Sequence, residues 1–453
     1  MPVHRMRPSL IFFIIALGLL NIIHSQGNGH DAHKLALFED WIRTNAWMHS
    51  NVTLSTFPQG NGLKATSALP ENTKIMTIPI DLQISRESMT KSLLSRCNDS
   101  SIDANEFMEV LKYLHDAELI TIGMVIENGF DEKSLFYPYL SILSTETPQL
   151  LFAWNQKELD FLQDDQLVGL ALDTARRLEY VWNKLSQSQY LPSITTNSSS
   201  LSLESFQRFY AITLSHSMWL TDNMLRIVPM AEQINHAPSH QPDSAFSAFH
   251  VRNETDGSIS VFLDRNVVEG EQIYEEYDRL DNSWHLLQFG FVAEDNPYHC
   301  VVLHLVPADV HWDGTACVRQ DNTYIPDKHV DQLIARYTDN SECLEQIRSF
   351  DARGIEESCS ATAIASTDQT SAPALDKTLV RNAARRDSRS DPALLESLKE
   401  QLEQIEEGST VFAADINPKR LALAIRFRLE DAKLVFKLTQ IDIVDERTTT
   451  DEL

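Results

Sequence analysis

Four short segments of this chain combine glycine, polar and aromatic residues in patterns that could serve chemistry. In chain order they are Phe57–Ala65, Val228–His236, Gly270–Tyr277 and Leu286–Val292. The first contains Gly60 and Gly62, where the missing Cβ would let a bound molecule approach the backbone closely. The second ends in the polar pair Asn235-His236, and the third ends in the hydroxyl-bearing Tyr277.

Each segment also has an ordinary structural interpretation. Gly60-Asn61-Gly62 could be a hairpin turn, Asn235-His236 a polar turn after a buried strand, and Tyr277 one more strand aromatic. We expect no metal site, because the five cysteines form no Cys-x-x-Cys pair and no helix is predicted that would bring His240 to His236. The segments are therefore more informative as an ordered set than singly.

In this order, the segments resemble the SET-domain protein methyltransferases. More narrowly, they are similar to the branch that includes the Rubisco large-subunit lysine methyltransferase and the actin-histidine methyltransferase. That branch has a Gly-x-Gly-Leu turn, a Val-Pro-x-Ala-Asp-x-x-Asn-His motif and a Gly-Glu-x-x-x-x-x-Tyr motif. Ser134–Leu140 and Leu151–Trp154 are similar to its helical insert. The resemblance covers residues 35–310 well and residues 390–440 weakly.

The resemblance implies that S-adenosylmethionine is the cofactor. The residues it implies for cofactor binding are Gly60, Gly62, Leu63, Ser215, His216, Glu232, Asn235 and His236. Tyr277 would be the catalytic tyrosine, and Tyr274 and Phe289 would line the substrate channel. Methyl transfer is an in-line displacement, so the enzyme must align nucleophile, methyl and sulfur. A lysine nucleophile must also be neutral, and a dry aromatic channel lowers the pKa of an amine by desolvation.

Four positions depart from the pattern of the branch and put catalytic competence in question. Glu232 replaces an Asp and keeps its charge, whereas His216 replaces an Arg and could weaken a contact with the cofactor carboxylate. Phe289 replaces a Tyr and removes a hydroxyl on the substrate side, which can change the number of methyl groups added. Asp278 replaces a Gly and adds a Cβ and a charge beside the site.

Three functions stay open at this point. The first is a protein-lysine N-methyltransferase, and the second has the same chemistry with histidine as the acceptor. The third is a binding protein with the SET fold and impaired catalysis. Cofactor binding separates the third from the others, and amino-acid analysis of a labelled product separates the first two.

The periodicity predicts an α+β fold in which a β-rich unit is split by helices, and the resemblance implies small β-sheets around a knot-like core. The SET domain would span 33–310, split by a helical insert over about 103–220, and a helical substrate-binding domain would span 311–453. Residues 354–391 contain almost no large apolar side chains, which predicts a disordered linker. Asp391-Pro392 and Asn417-Pro418 each pair a capping residue with a proline, which predicts two C-terminal helices.

The charge of the chain favours basic partners over nucleic acid. The formal net charge is −27 over 453 residues. Because phosphate affinity depends on Lys and Arg, a chain this acidic is a poor nonspecific binder of nucleic acid. A protein substrate with a basic segment is expected instead, although good solubility alone would also explain the charge.

The N-terminus has the layout of a secretory signal peptide over residues 1–25. Membrane association is expected only if the apolar run 10–23 stays as an anchor. Four Asn-X-Ser/Thr sites agree with a secreted glycoprotein, namely Asn51, Asn98, Asn197 and Asn253. The last residues, 450–453, are read as a degenerate retrieval signal of the endoplasmic reticulum. A bipartite plastid address is the alternative location.

Overall fold

The structure is a computed structural model, and it describes most of the chain between residues 32 and 440. The described residues are 32–57, 60–97, 103–146, 149–188, 190–194, 201–219, 224–237, 246–277, 280–304, 315–319, 324–326, 384–385, 387–408 and 415–440. The predicted signal peptide, most of the predicted linker and the C-terminal residues 450–453 lie outside them.

The chain divides into two compact units, each built from separate stretches of sequence. The first comprises Met1–Glu146, Leu185–Ala237 and Ser244–Glu276, and the second comprises Thr147–Lys184, Pro238–Asp243 and Tyr277–Leu453. The first unit contains the Gly60–Gly62 and Asn235–His236 segments. The second begins its last stretch at Tyr277.

The helices alternate with short strands along the described chain. They are α1 (32–45), α2 (Arg86–Cys97), α3 (Ala104–Leu111), α4 (Asp116–Asn128), α5 (Tyr137–Leu140), α6 (Gln156–Asp160), α7 (Asp165–Ser186), α8 (Tyr190–Ile194), α9 (Leu203–His216), α10 (Asn282–Trp284), α11 (Pro392–Glu406) and α12 (Pro418–Thr439). A π-helix, His285–Phe289, continues α10. Short 3₁₀ turns lie at Ile80–Leu82, Asp131–Lys133, Leu151–Ala153, Ala231–Gln233 and Ser388–Ser390. None of the helices in the described ranges is both long and apolar enough to cross a bilayer.

The strands form three sheets. They are β1 (Trp47–Met48), β2 (Val52–Phe57), β3 (Gly60–Ala65), β4 (Lys74–Ile78), β5 (Ile84–Ser85), β6 (Ser217–Trp219), β7 (Leu225–Ile227), β8 (Asn235–His236), β9 (Ala248–Arg252), β10 (Ile259–Leu263), β11 (Gln272–Glu275), β12 (Cys300–His304), β13 (Thr315–Arg319) and β14 (Tyr324–Pro326). The largest sheet has the order β1-β4-β10-β9-β11-β3-β2, and β8 pairs with β11 beside this path. The two smaller sheets have the orders β5-β7-β6 and β12-β13-β14. Sheets and helices together confirm the predicted α+β class.

The first unit is organised around helix α4, which is buried on every side. All residues from Glu118 to Glu127 are buried, and α2 and α9 both pack against this helix. A helix that is apolar around its whole circumference belongs in a core rather than on a surface. Where polar residues enter this core they pair, as the hydroxyls of Thr121 and Thr213 do at 3.0 Å.

Strand β3 corrects one expectation from the sequence. Residues Gln59–Gly62 were expected to form a turn, but Gly60–Gly62 lie inside β3, and Phe57 pairs directly with Gly60. This register leaves only two residues to connect β2 and β3, which is the shortest common length of a hairpin loop. The two glycines are thus strand residues facing β11 and its neighbours, and this places them in the site described below.

The second unit contains the two predicted C-terminal helices. Asp391 caps α11 by accepting a hydrogen bond from Ala393 N, and Asn417 caps α12 by accepting one from Lys419 N. Both helices begin within one residue of the predicted position, which confirms the Asp-Pro and Asn-Pro signals. A buried ion pair joins Arg420 of α12 to Glu158 of α6, with 2.7 Å between Nη1 and Oε2.

Strand β12 is cross-linked to its neighbour in the second unit. A disulfide joins Cys300 of β12 to Cys317 of β13. Cys97, in the first unit, is buried, and its Sγ donates to the carbonyl of Leu93 at 3.5 Å. The strand-like run 300–306 predicts β12, which ends two residues earlier, at His304.

Candidate active site

Strand β11 brings three distant segments of the first unit together. It pairs antiparallel with β3, where Gln272 lies opposite Lys64, and parallel with β8, where Tyr274 lies opposite Asn235. A strand flanked by both an antiparallel and a parallel neighbour gathers residues that are far apart in sequence. The backbone of Gly62 and the side-chain amides of Asn235 and Gln272 meet at one point. We call these three residues the cradle.

Gly62 makes the cradle possible because it has no Cβ. A Cβ at this position would lie 2.6 Å from Gln272 Nε2, 2.9 Å from Asn235 Nδ2 and 3.0 Å from Phe57 Cδ2. Distances below 3.0 Å are not tolerated between such atoms, so any side chain would displace the two amides. Gly60 is needed for a different reason, because its φ of 120° falls in a region that L residues rarely adopt.

Asn235 is held in the cradle by the backbone of the glycine segment. Its Nδ2 donates a hydrogen bond to the carbonyl of Asn61 at 2.8 Å. The ring of the neighbouring His236 packs at a tilt against the ring of Phe246, with the ring centroids 5.2 Å apart. Burial lowers the pKa of His236 to about 4, so its imidazole is neutral at physiological pH.

An abrupt bend brings the next two predicted residues together. Met230, between β7 and β8, has a φ of 76°, which is unusual for a residue with a side chain and marks local strain. The 3₁₀ turn that follows places Glu232 against His216, the last residue of α9. The distance from His216 Nδ1 to Glu232 Oε2 is 2.6 Å, and Gln233 Nε2 donates to the other oxygen at 2.5 Å.

This pairing sets the charge of His216. The Glu232 carboxylate is 1% exposed, whereas the His216 side chain is 32% exposed. Burial alone would lower the pKa of His216, but the charge and hydrogen bond of Glu232 raise it above 6.5. Below that raised pKa the ring is a cation with a second N–H, at Nε2, available to an anion. When protonated, His216 is a cation paired with the Glu232 carboxylate, at the position where the branch has an arginine.

The remaining predicted cofactor residues occupy different surroundings. The Ser215 hydroxyl donates to the carbonyl of Ala211 at 2.9 Å, one turn back in α9. The Leu63 side chain is fully buried in the core. Burial of that side chain leaves the Leu63 backbone, rather than its side chain, as the part that could meet a cofactor.

Two residues near the cradle were missed or assigned differently from the sequence. Gln272 lies inside the Gly270–Tyr277 motif, but nothing in the sequence distinguished it from other strand residues. Tyr274, expected in the substrate channel, donates its hydroxyl to Gln272 Oε1 at 2.9 Å. Both side chains are buried, and alternation along β11 puts them on the same face.

The second unit contains an aromatic group that includes the predicted catalytic tyrosine. The ring centroids of Tyr277 and Phe289 are 5.0 Å apart. Phe291 lies 6.0 Å from Phe289 and stacks on His285 at 4.8 Å. Phe289 ends the π-helix, an element that is rare and often found at functional sites. Asp278 lies outside the described residues.

A side-chain amide closes the loop that carries these aromatic residues. Asn282 Nδ2 donates to the carbonyl of Ala293 at 3.0 Å, and Asn282 Oδ1 accepts from Ala293 N at 3.1 Å. Asn296 Nδ2 donates to the same oxygen at 3.2 Å. Asn282 is fully buried, so these bonds are made without competition from water. These hydrogen bonds, which we call the clasp, fix the backbone that carries Phe289 and Phe291.

Metal ligands are not grouped in the part of the chain that the structure describes. No set of three or more His, Cys, Asp or Glu side chains there could hold a metal ion.

Comparison with known proteins finds two curated relatives and no matching family model. The chain is 28% identical over 268 residues to the "[Fructose-bisphosphate aldolase]-lysine N-methyltransferase, chloroplastic" of Arabidopsis thaliana, which covers 57% of this chain and 52% of that protein. It is 21% identical over 327 residues to "SET domain-containing protein 4" of Homo sapiens, covering 65% of this chain and 69% of that protein. The chain thus spans about half the length of the plant relative.

Solved structures match over a larger share of the chain. The SET domain of LSMT bound to lysine and AdoHcy has a TM-score of 0.54 at 19% identity, over 90% of both chains. Rubisco LSMT bound to AdoMet has a TM-score of 0.52 at 18% identity, again over 90% of both chains. The resemblance that the four motifs indicated is thereby confirmed at the level of the fold: the chain has the fold of these solved SET-domain structures.

Proposed function

We propose that this protein is an S-adenosylmethionine-dependent protein-lysine N-methyltransferase. The observation that carries the proposal is the cradle, in which Gly62, Asn235 and Gln272 converge on one face of β11. The plant relative is named as a lysine methyltransferase, and the LSMT structure contains lysine and AdoHcy. These names support a lysine acceptor and this cofactor.

The residues present fit this cofactor in two ways. A Cβ at Gly62 would fill the space against which both cradle amides lie. Buried beside it, Gln272 Nε2 has no hydrogen-bond partner among the described residues. Buried donors are nearly always paired in native proteins, so an unpaired one beside a backbone without Cβ is typical of a ligand site. His216, charged through Glu232, would add a cation for the cofactor carboxylate.

The resemblance assigns the acceptor side to Tyr277, which lies with Phe289 and Phe291 in one aromatic group of the second unit. When bound, the cofactor supplies the methyl group, and this chain supplies orientation and a dry surrounding. The Tyr277 hydroxyl would orient the incoming nitrogen, and the rings of Phe289 and Phe291 would exclude water. Because desolvation disfavours the charged amine, these rings help to make the lysine neutral before transfer.

A basic segment in the substrate is supported by the charge of the chain. The net charge is −27, and a stripe of exposed carboxylates follows α11 and its C-cap residue, namely Glu396, Glu400, Glu403 and the C-cap Glu407. Their spacing of four, three and four residues puts them on one side of the helix. Such a stripe attracts Lys-rich and Arg-rich segments and repels nucleic acid.

We infer a secretory-pathway location from three features. The N-terminal residues have the layout of a signal peptide, and the Cys300–Cys317 disulfide suits an oxidising compartment. Asn253 of one glycosylation sequon is exposed just after β9. A shift in mass on glycosidase treatment that becomes smaller in Asn253→Gln supports this location. A protein from the native host with a free Cys300 thiol and no glycan contradicts it.

The decisive experiment is calorimetric binding of S-adenosylmethionine to the protein and to a Gly60→Ala/Asn235→Ala variant. Micromolar binding that is lost in the variant supports the cofactor site. Transfer of labelled methyl to protein, abolished in Tyr277→Phe and retained in the surface variant Tyr113→Phe, then supports catalysis. Amino-acid analysis of the labelled product identifies the acceptor. N-methyllysine supports a lysine acceptor, whereas N-methylhistidine would show that histidine is the substrate residue. A folded protein that binds no cofactor refutes the enzyme and leaves a SET-fold binding protein.

A further inference from the structure

Gln272 presents a buried hydrogen-bond donor for which the described residues provide no acceptor. The residue is 7% exposed, and its Nε2 is without a partner in the described part of the chain. Its other amide atom is satisfied, because Oε1 accepts the hydroxyl of Tyr274 at 2.9 Å. An amide that is half paired and half unpaired in a buried site is costly to retain unless something else uses the free half.

The orientation of this amide is fixed rather than accidental. Tyr274 lies two residues along β11, on the same face of the strand, so its hydroxyl holds Oε1 on one side. The amide is planar, and Nε2 is therefore directed to the other side, against the Cα of Gly62. The hydrogen bond from Tyr274 therefore determines the orientation of the Gln272 amide.

A second amide donor points to the same place. Asn235 Nδ2 lies 2.9 Å from the position a Gly62 Cβ would occupy, compared with 2.6 Å for Gln272 Nε2. One N–H of Asn235 is used by the carbonyl of Asn61, and an amide nitrogen has two. Two amide nitrogens lying close together beside a residue without a side chain can bind one acceptor, and an ionised carboxylate makes a stronger hydrogen bond than a neutral acceptor.

We propose that Gln272, oriented by Tyr274, binds the carboxylate of the methionine part of S-adenosylmethionine through its Nε2. The inference rests on the proposed function, because it assigns a residue within that cofactor site. It adds a specific role to a strand position that the motif alone left without one. It also makes Tyr274 a positioning residue for the cofactor rather than a wall of the substrate channel.

The test compares two variants for cofactor binding by calorimetry. Tyr274→Phe alone leaves the Gln272 donor in place but removes the hydroxyl that fixes its direction, so we expect the affinity to fall by about threefold, less than in the double variant. Gln272→Met with Tyr274→Phe removes both partners together, so that no new unpaired group is left behind. We expect this double variant to bind S-adenosylmethionine on the order of 10- to 100-fold more weakly, as for a lost hydrogen bond to a charged group.

A second ligand separates direct contact from a structural role. The compound 5′-methylthioadenosine has the adenosine of the cofactor but no carboxylate, so its affinity should be unchanged in the double variant. The matched control Gln83→Met replaces another buried glutamine, whose Nε2 donates to the carbonyl of Gly257 at 2.9 Å. That control should leave the ratio of the two affinities as in the wild type.

Each outcome decides between the alternatives. The inference is overturned if the double variant binds both ligands equally more weakly, or if neither affinity changes. In either case, binding of S-adenosylmethionine by the wild type preserves the proposed function. A wild-type protein that does not bind the cofactor overturns both. Circular dichroism and the unfolding midpoint of each variant without ligand establish that the comparison concerns folded protein.

Discussion

The paired residues Glu232 and His216 lead to a prediction about pH. Replacing Glu232 with Gln keeps the size of the side chain and removes its charge. In the wild type the Glu232 carboxylate is 1% exposed and lies 2.6 Å from the imidazole, so solvent screens the carboxylate of this pair very little. In the variant, burial still acts on His216 without the opposing charge, and the pKa of His216 should fall below its ordinary value.

The expected loss in the free energy of unfolding follows from the interaction between Glu232 and His216 that the substitution removes. Removing one partner of a buried ion pair costs about 3–5 kcal/mol when the other charge is stranded. His216 can escape that penalty by releasing its proton, so the expected loss is nearer that of one charge-assisted hydrogen bond, about 1.5–3 kcal/mol. This loss applies to the free energy of unfolding at pH 6, where the wild-type imidazole is protonated.

The sign of the pH dependence is fixed by the direction of the shift. The pKa of His216 is raised above 6.5 in the folded protein, so the folded state binds the proton more tightly than the unfolded state. The added stability is fully present below pH 6.5 and is lost as the pH rises through the folded pKa. The difference between wild type and Glu232→Gln should therefore be largest at pH 6 and smaller at pH 8.5.

Urea unfolding at both pH values measures this difference, with cofactor affinity measured in parallel. The affinity for S-adenosylmethionine should also be lower in Glu232→Gln than in the wild type, because the cationic imidazole is the form that attracts a carboxylate. The control Glu254→Gln removes an exposed carboxylate that pairs with Arg252, and it should change stability by less than about 1 kcal/mol at either pH. A loss in Glu232→Gln that is the same at both pH values would show that His216 is not charged through Glu232.

Three further substitutions test other parts of the structure. Gly62→Ala should cost about 1–3 kcal/mol by overpacking and also abolish cofactor binding, whereas Gly123→Ala, equally crowded inside α4, should lower the unfolding midpoint and leave binding intact. Asn282→Ala opens the clasp and should cost about 1–3 kcal/mol in urea unfolding and reduce methyl transfer more than cofactor affinity; equal loss of both would contradict this. Glu158→Gln strands the buried Arg420 and should cost about 3–5 kcal/mol, seen as a lower unfolding midpoint; an unchanged midpoint would contradict this.

Local signals in the sequence were sufficient for much of the fold. Capping residues followed by proline place the starts of α11 and α12, because the side chain and the fixed proline backbone act within the first turn. Alternation of apolar residues over Ile259–Asp264 predicts β10, and the strand-like run Lys74–Ile78 coincides with β4. Such features depend on neighbours a few positions away, and the sequence displays those neighbours directly.

The contacts that build the site could not be read in the same way. The approach of Gln272 to Gly62 depends on the register of β11 against β3, which no local pattern fixes. Likewise, the pairing of His216 with Glu232 depends on the bend at Met230, whose positive φ is not the preference of methionine. Sequence comparison alone treats His216 and Glu232 as two separate departures, whereas in the structure they form one interacting pair.

The parallel pairing of β8 with β11 also bears on how the protein is made. The hydrogen bond from Asn235 to Asn61 joins residues 174 positions apart, and Gln272 is synthesised later than both. Helices α2, α4 and α9 can pack while the chain is still growing, but contacts of this sequence separation close slowly and late. The cradle should therefore assemble only after β11 has left the ribosome, and cofactor binding should distinguish fully folded chains from truncated or partly folded ones.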